Sequence, residues 1–208
     1  MFEYRIYTPA ECPEELYSFR YGIYVEEMHR KQRYACHRTK TIRDPLDDTA
    51  RQVVAHKDGR IVACIRANLL KEGPVGDYFD FYELDRLLNP DALSRASICT
   101  RLMVSPKYRR THVSVDIFKH LYVFGLAHEI DTSFMDCNRH LTGFFQKFGY
   151  EFLFRKHHEE YGDVAVMSLN LRDYQRLIDI DSPFAETART QLEISKRSLT
   201  LAAACSLA

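Results

Sequence analysis

The chain has 208 residues, 46% of them hydrophobic, which is enough for the core of one domain. Basic and acidic residues both number 29, so the formal net charge is zero and does not indicate a bulk preference for nucleic acid or anionic membrane. The six cysteines form no C-x-x-C pair and predict free thiols in a reducing compartment. No apolar run has the length of a membrane span and the N-terminus has no signal-peptide core, so we expect a cytoplasmic protein.

Apolar spacing predicts the elements of the first part of the chain. Residues 2–7 alternate between apolar and polar side chains, as a short strand does. Pro13, followed by two glutamates, is a typical helix entry. The helix that follows places four apolar side chains on one face: Leu16, Phe19, Ile23 and Tyr24. Residues 32–49 show no periodicity, so we expect a long loop of the kind that is usually functional or mobile.

The rest of the chain alternates strands with helices. Two apolar strands within residues 51–70 flank Asp58-Gly59, a typical hairpin turn. We then predict a helix over 79–89, a strand over 97–104, a helix over 112–129, a strand over 132–137, a helix over 139–149, and strands over 150–156 and 163–171. This order predicts an α/β fold with a central mixed (α+β) sheet flanked by helices. Residues 1–182 are predicted to form one domain and 183–208 a helical tail.

Two blocks carry a resemblance to a known superfamily. The stretch LMVSPKYRRTHVSVDIFKHL, followed by DCNRHLTGFFQKFGYEF, resembles the core of the GNAT acyltransferases, with its V-x-P-x-x-R-x-x-G-x-G pattern and a later aromatic and glycine closure. The matching positions are Val104, Pro106, Arg109, Asn138, Phe145, Gly149 and Tyr150. His112 and Ser114 replace the two loop glycines. Phe145 stands where the superfamily often has a tyrosine that protonates the leaving thiol.

The first half narrows the resemblance to one branch. It is similar to the acyl-homoserine lactone synthases and N-acyl amino acid synthases at Arg20, Tyr24, Asp44, Asp47, Arg66, Thr100 and Arg101. The lactone synthases usually carry a Trp where this chain has Arg30 and a Glu where it has Ile98. These departures favour the N-acyl amino acid synthases. The resemblance spans about residues 16 to 155.

The resemblance implies a GNAT-like N-acyltransferase domain. It would move a long-chain acyl group by direct attack from a phosphopantetheine thioester, most simply on acyl carrier protein, to the amine of an amino acid or related small molecule. Three alternatives stay open: a lactone synthase using S-adenosylmethionine, a coenzyme A-dependent GNAT acetyltransferase, and a non-catalytic module that binds acyl carriers or lipids. We expect no metal, no tightly bound cofactor and no nucleic-acid partner.

The donor is expected at the strand and helix around residues 97–129. Backbone N–H groups of the strand suit a thioester carbonyl, and the first amides of the helix suit a phosphate. A Cβ in place of each glycine favours the single phosphate of a carrier over the diphosphate of coenzyme A. Lys107, Arg109, Arg110 and Arg139 suit an acidic carrier, while the simpler interpretation is a solvated basic turn. The donor-binding residues predicted here are Met103, Val104, Arg109, Arg110, Thr111, His112, Val113 and Ser114.

The acceptor is expected near the arginines that interrupt apolar strands. A charged side chain in an apolar strand needs a partner or a function. Arg66 and Arg101 are therefore expected either to bind the acceptor carboxylate or to form structural ion pairs with Asp44 and Asp47. We assign a catalytic role to Arg101, Arg66 and Asp47, and acceptor binding to Arg20, Tyr24, Asp44, Thr100 and Phe145. Glu27, His112 or water are the candidate proton acceptors.

Other chemistry is less favoured by the sequence. His157 and His158 are adjacent, so on a strand they point to opposite faces and make a poor pair of metal ligands. Cys99 and Cys137 lie in apolar strands without a positioned base, which predicts packing and not nucleophilic catalysis. The aromatic clusters are interpreted as core, with an acyl-chain pocket as the alternative.

Overall fold

The computed structural model describes the backbone of residues 1–205 and the side chains of residues 1–197. Its strands are β1 (Glu3–Tyr7), β2 (Ala35–Cys36), β3 (Thr41–Ile42), β4 (Arg51–Lys57), β5 (Arg60–Leu69), β6 (Ala96–Val104), β7 (Thr132–Asn138), β8 (Glu151–His158) and β9 (Gly162–Asn170). Its α-helices are α1 (Glu14–Tyr21), α2 (Tyr78–Phe81), α3 (Leu84–Leu87), α4 (Pro90–Leu93), α5 (Val113–Ala127), α6 (Thr142–Gln146), α7 (Tyr174–Asp179) and α8 (Ala185–Cys205). No helix in the described chain is long and apolar enough to span a membrane.

Seven strands form one mixed sheet in the order β1-β4-β5-β6-β7-β9-β8. The neighbours are antiparallel except β6 and β7, which run parallel and are joined by the crossover helix α5. The β4–β5 hairpin turns at Asp58 and Gly59, whose φ angles are 52° and 74°. The predicted mixed sheet, with hairpins early and late and a crossover between, is confirmed.

The strands β6 and β7 separate towards one end of the sheet. Their ladder runs from the Ala96–Thr132 pair to the Cys99–Met135 pair, whereas the strands themselves continue to Val104 and Asn138. The β5–β6 register also shifts between Cys64 and Arg66. The result is a wedge-shaped gap along the second half of β6, where backbone groups lose their partners on β7.

Core clusters lie on both faces of the sheet. The cluster under α5 contains Phe118, Leu121 and Tyr122, and Phe184, just ahead of α8, stacks on Tyr122 at a ring separation of 4.3 Å. On the opposite face, α2 and α3 cover a cluster that includes Tyr82. The sheet is thus buried on both sides, as its near-continuous apolar strands require.

Three predicted segments differ in detail from the structure. The helix expected over 79–89 is broken into α2 and α3 because Glu83 takes a left-handed φ of 53°. The expected loop over 32–49 contains the short hairpin β2–β3 and a 3-10 turn, Pro45–Asp48, elements too short to show periodicity. The helix expected over 139–149 is a 3-10 turn, Arg139–Leu141, followed by α6.

Candidate active site

A capped turn places two carboxylates against the sheet. The Asp44 side chain accepts from the Leu46 amide at 3.0 Å, and the Asp47 side chain accepts from the Asp44 amide at 2.9 Å. This reciprocal capping box fixes both side chains at the start of the 3-10 turn. Both carboxylates are buried, so each needs a charged partner.

Arg20, on α1, binds the inner carboxylate. Its Nη1 donates to both Asp47 oxygens at 2.9 and 2.8 Å, and its Nη2 donates to Gln52 Oε1 at 2.8 Å. Gln52 closes the group by donating to Asp47 Oδ1 at 2.9 Å. Arg20 and Asp47 are both fully buried, so neither can touch a substrate in this arrangement.

Arg66, on β5, links the two carboxylates to β6. Its Nη1 donates to Asp44 at 2.5 Å and to Asp47 at 3.2 Å, and its Nε donates to the Thr100 hydroxyl at 2.9 Å. The Arg66 side chain is 1% exposed. Its role in this structure is to fix the position of Asp44 and of the second half of β6.

Arg101 carries the network to the surface of a cleft. Its Nε and Nη2 donate to Asp44 Oδ2 at 3.0 and 2.5 Å, and its Nη1 donates to Gln32 Oε1 at 3.2 Å. The guanidinium also lies 5.8 Å from the centre of the Tyr24 ring. Arg101 has a left-handed φ of 55°, an uncommon conformation for a residue with a side chain, at the irregularity where β6 leaves its regular pairing.

The network has an excess of positive charge. Three guanidinium groups face two carboxylates, Asp44 and Asp47, which leaves one positive charge unbalanced. Burial by itself would raise the pKa of Asp44, but the guanidinium groups of Arg66 and Arg101 lower it to about 2. Asp44 therefore stays charged at neutral pH, and Arg101 is the guanidinium of the network that lines the cleft.

The cleft has a volume of about 490 Å³. Its lining combines charged and aromatic side chains: Arg33, Asp44, Asp77, Arg101, His158, Glu160, Tyr34, Tyr78 and Phe81. Arg33 spans part of it, because its amide donates to Glu160 at 2.7 Å and its guanidinium lies 3.5 Å from Asp77. A cleft of this size and polarity suits a small charged molecule.

The predicted donor loop lies between β6 and α5. Arg109 donates to the Val104 carbonyl at 3.0 Å and forms an ion pair with Glu27 at 2.6 Å. His112 is 70% exposed, and its Nε2 lies 3.4 Å from Asp116. The Thr111 hydroxyl lies 3.4 Å from the Val113 amide, at the start of α5. The loop thus brings the predicted residues together, although Glu27 neutralises the Arg109 charge.

The sequence profile of the N-acyl amino acid synthase FeeM family matches residues 15–170. The chain belongs to this family. It is therefore an acyltransferase, and the matched residues contain the whole acidic turn, the arginine network and the β6–α5 loop. No curated protein sequence matches the chain.

Solved structures of acyltransferases share the fold. The CoA-dependent acyl-homoserine lactone synthase MesI is 17% identical, with a TM-score of 0.66 over 86% of this chain and 93% of that one. FeeM from uncultured soil microbes, an N-acyl amino acid synthase, is 12% identical, with a TM-score of 0.63 over 90% of this chain and 99% of that one. An acyl-CoA N-acyltransferase from Pseudomonas aeruginosa is 14% identical, with a TM-score of 0.58 over 81% and 99%. These likenesses identify the fold as GNAT-like.

Some predicted residues of this family member lie in the core. Phe145 is 1% exposed and packs against Phe118 and Tyr150, so its side chain is not on the surface of the cleft. Met103 and Val113 are likewise buried, and only their backbone groups are available to a donor. Asp47, to which the sequence assigned a catalytic role, is enclosed by Arg20 and Arg66, which is the structural ion pairing that the sequence left as the alternative.

Sequence reasoning missed the polar residues that complete the arginine network. Gln52 pairs with Arg66 in the β4–β5 register and interrupts an apolar strand as Arg66 does, so that signal was present. Gln32 bonds to Arg101 and to the hydroxyl of Tyr161, at 3.2 and 3.3 Å. Tyr161 lies in the β8–β9 turn, far away in sequence, and no local pattern predicts this contact. Among the described residues, no group of three or more His, Cys, Asp or Glu is arranged to hold a metal ion.

Proposed function

We propose that this enzyme transfers an acyl group from the phosphopantetheine arm of an acyl carrier protein to the amino group of an amino acid. The observation that carries the proposal is the guanidinium of Arg101, which Asp44 holds at the wall of a cleft next to the β6–β7 gap. A carboxylate is the natural partner of such a guanidinium. Membership of the N-acyl amino acid synthase family supports the same acceptor class.

In this proposal the acceptor lies in the cleft. Its carboxylate binds the outer N–H groups of Arg101, while Asp44 keeps the guanidinium in place from behind. Arg20, Arg66 and Asp47 act indirectly, because they are buried and hold Asp44 and the turn. The aromatic rings of Tyr34, Tyr78 and Phe81 supply apolar area for an amino acid side chain.

The donor occupies the gap between β6 and β7. In this proposal, backbone N–H groups along Thr100–Val104 bind the pantetheine amides and the thioester carbonyl, and the end of the β6–β7 pairing at Cys99 supports this assignment. On the α5 side of the sheet a narrow apolar cavity of about 20 Å³ is lined by Cys99, Phe118 and Tyr150, among others, and marks the direction we expect for the acyl chain. The first amides of α5 face the phosphate.

A carrier protein fits the outer surface of the donor loop. Lys107, Arg110 and His112 are exposed there, and carrier proteins are acidic. Arg109 is tied to Glu27, which lowers the positive charge that a diphosphate would meet. The loop also has side chains at 112 and 114 in place of glycines, and this favours a single phosphodiester.

The reaction proceeds by direct attack. The neutral amine adds to the thioester carbonyl carbon, and the negative charge that develops on the oxygen is stabilised by β6 amides. Collapse of the tetrahedral intermediate breaks the C–S bond, and the thiolate takes up a proton. The products are an N-acyl amino acid and the carrier thiol.

Mass spectrometry of competing donors and acceptors tests this proposal. The purified protein is given long-chain acyl carrier protein or the matching acyl coenzyme A, with a pool of amino acids. We expect amides of amino acids, formed faster from the carrier. Equal or faster transfer from coenzyme A would contradict the carrier, and product from acetyl coenzyme A alone would contradict the long chain. Consumption of S-adenosylmethionine with formation of a lactone would contradict an amino acid acceptor and would indicate a lactone synthase.

Arg101→Gln tests the carboxylate contact. Loss of a charge-assisted bond is worth about 1.5–3 kcal/mol, so we expect KM for the amino acid to rise at least about tenfold. The decarboxylated amine of the same amino acid lacks the bound group, and its rate should change little. Arg86→Gln, at an exposed arginine paired with Glu83, is the matched control. An equal loss with both acceptors would show that Arg101 acts on structure and not on the carboxylate.

A further inference from the structure

A carboxylate outside the arginine network lies where β6 and β7 separate. Asp136 directly follows Met135, the last residue of β7 that pairs with β6. Phe134, two residues earlier, packs with Ile98 in the cluster under α2 and α3, so Asp136 is on that same face of the sheet. Thr100, whose hydroxyl accepts from Arg66, directly follows Cys99, the last residue of β6 that pairs with β7. Thr100 is therefore on this same face of the sheet. Asp136 and the arginine network therefore flank the gap from its two sides.

The surroundings of Asp136 are suited to a proton acceptor. The hydroxyl of Tyr82, which is fully buried, donates to Asp136 Oδ1 at 2.7 Å and orients the carboxylate. Asp136 itself is only partly buried, which leaves room for a second contact. Two carboxylates of the cleft lining already have partners: Asp44 is bound by Arg66 and Arg101, and Glu160 by the Arg33 amide.

His158, on β8, faces the same region from the cleft. Its ring packs on Tyr161 at 4.4 Å and on Phe81 at 5.3 Å. Its Nδ1 accepts from the Glu160 amide at 3.1 Å, so in the neutral ring the hydrogen lies on Nε2. His158 lines the cleft and so connects the buried face with solvent.

Electrostatics brings the two groups towards the same pH range. Burial raises the pKa of Asp136, and the Tyr82 hydrogen bond and His158 offset part of this rise. Burial lowers the pKa of His158, and Asp136 and Glu160 oppose that change. Arg101 adds to the lowering at His158, while Glu159 opposes it. Each of the two groups therefore affects the pKa of the other.

The geometry points to Asp136 as the catalytic base that takes a proton from the acceptor ammonium, with His158 as the group that passes the proton to solvent. This assignment rests on the proposed function. The ammonium N–H bond breaks towards Asp136 and leaves a lone pair on the nitrogen. That lone pair forms the C–N bond of the tetrahedral intermediate, whose collapse breaks the C–S bond. The nitrogen loses its second proton to the departing thiolate, so one proton is released overall through Asp136.

The candidates suggested by the sequence are occupied elsewhere. Glu27 forms an ion pair with Arg109, and His112 is exposed beside Asp116 at the start of α5. Both residues lie at the donor loop, where they have charged partners. Asp136 differs from them because it flanks the gap in which the thioester is expected.

The pH profile of kcat for Asp136→Asn tests the assignment of the base, with Asp163→Asn as the control. Asp163 is 85% exposed on the neighbouring strand β9. We expect Asp136→Asn to lower kcat for an amino acid about 100-fold or more at neutral pH and Asp163→Asn to leave it unchanged. Hydroxylamine is neutral at that pH, so both variants should use it nearly as well as the unaltered protein.

A second variant keeps the test decisive if Asp136→Asn does not fold. Tyr82→Phe removes a hydrogen bond that lowers the pKa of Asp136. The acidic limb of the kcat profile should then move to higher pH while the plateau is kept. An unchanged limb, or an equal loss with hydroxylamine and amino acid in Asp136→Asn, would overturn the assignment. Absence of amide from the unaltered protein with every acceptor would instead contradict the proposed function.

Discussion

Asp47 is the residue on which the buried charges converge. It accepts from Arg20, Gln52, Arg66 and the Asp44 amide, with no exposure to solvent. Taking such charges out of water costs several kcal/mol per ion, and the pairing repays this only while it is complete. The network is therefore best understood as a device that holds Arg101 in place and not as a source of stability.

Replacing Asp47 by Ala should destabilise the fold strongly. The change leaves Arg20 buried without its carboxylate, and we expect the free energy of unfolding to fall by about 3–5 kcal/mol. Urea denaturation followed by circular dichroism measures this. The neighbouring Asp48 is 65% exposed and paired with Arg43 at the surface, so Asp48→Ala should cost less than about 1 kcal/mol. Similar losses in both variants would contradict the buried pairing.

Asp44 makes the free energy of unfolding depend on pH in the acidic range. Its pKa falls from 3.8 to about 2 on folding, so it stabilises the protein above pH 4, and this contribution is lost as the pH falls towards 2. The shift corresponds to about 2 kcal/mol. We expect the free energy of unfolding of Asp44→Asn to decrease less between pH 4 and pH 2 than that of the unaltered protein. Parallel curves for the two proteins over this interval would argue against the ion pairs.

At the scale of elements, β6 decides where the site is. The first half of β6 pairs with β7, while the second half leaves the ladder and carries Arg101 in its left-handed conformation. Backbone strain of this kind is maintained only where the surroundings hold it, and here Asp44 and Gln32 bind the side chain. The irregular strand thus borders both the β6–β7 gap and the cleft.

Substitution by alanine should change the free energy of unfolding in opposite directions at two glycines near α6. Gly149 ends this segment with a φ of 105°, and a Cβ would lie 2.5 Å from Leu177 Cδ2. Gly149→Ala should lower the free energy of unfolding by about 2 kcal/mol or more. Gly143, within α6, has open space around its Cβ position, so Gly143→Ala should raise it by about 0.5–1 kcal/mol. Thermal unfolding of both variants measures these changes. A stability change in the same direction in both variants would contradict the prediction.

At the scale of the whole molecule, the C-terminal segment completes the core under α5. Phe184 is 2% exposed, stacks on Tyr122 and packs at a tilt against Phe148, and Ala188 is fully buried. The start of α8 therefore belongs to the same core as the sheet. The prediction that residues 183–208 form a separate tail remains a prediction about domain organisation, and residues 206–208 lie outside the described chain.

Phe184→Ala measures the contribution of that segment. Removing a buried phenylalanine should cost about 3–5 kcal/mol, since a cavity is left between Tyr122 and Phe148. Ile180, 42% exposed in the same region, is the control, and Ile180→Ala should cost less than about 1 kcal/mol. Denaturant titrations of both variants provide the comparison. An equally small loss at Phe184 would show that the segment is only loosely attached.

The elements of the sheet could be predicted because their signals are local. The Asp58-Gly59 turn, the apolar strands 97–104 and 132–137, and the helix entry at Pro13 each lie within a short window. The left-handed break at Glu83 could not be predicted, since glutamate is a good helix former and no glycine or proline stands at this point of the chain. The two-residue strands β2 and β3 are too short to carry a period.

The sequence by itself determined the mixed sheet, the superfamily and the identity of the charged residues around the site, because strand periodicity and charges within apolar strands are local properties. Only the tertiary structure decided which of these residues line the cleft. It buried Arg20, Arg66 and Asp47, left Arg101 and His158 at the cleft, and placed Asp136 just beyond the last β6–β7 pair. These positions depend on strand order and on the separation of β6 from β7, which are contacts between distant parts of the chain.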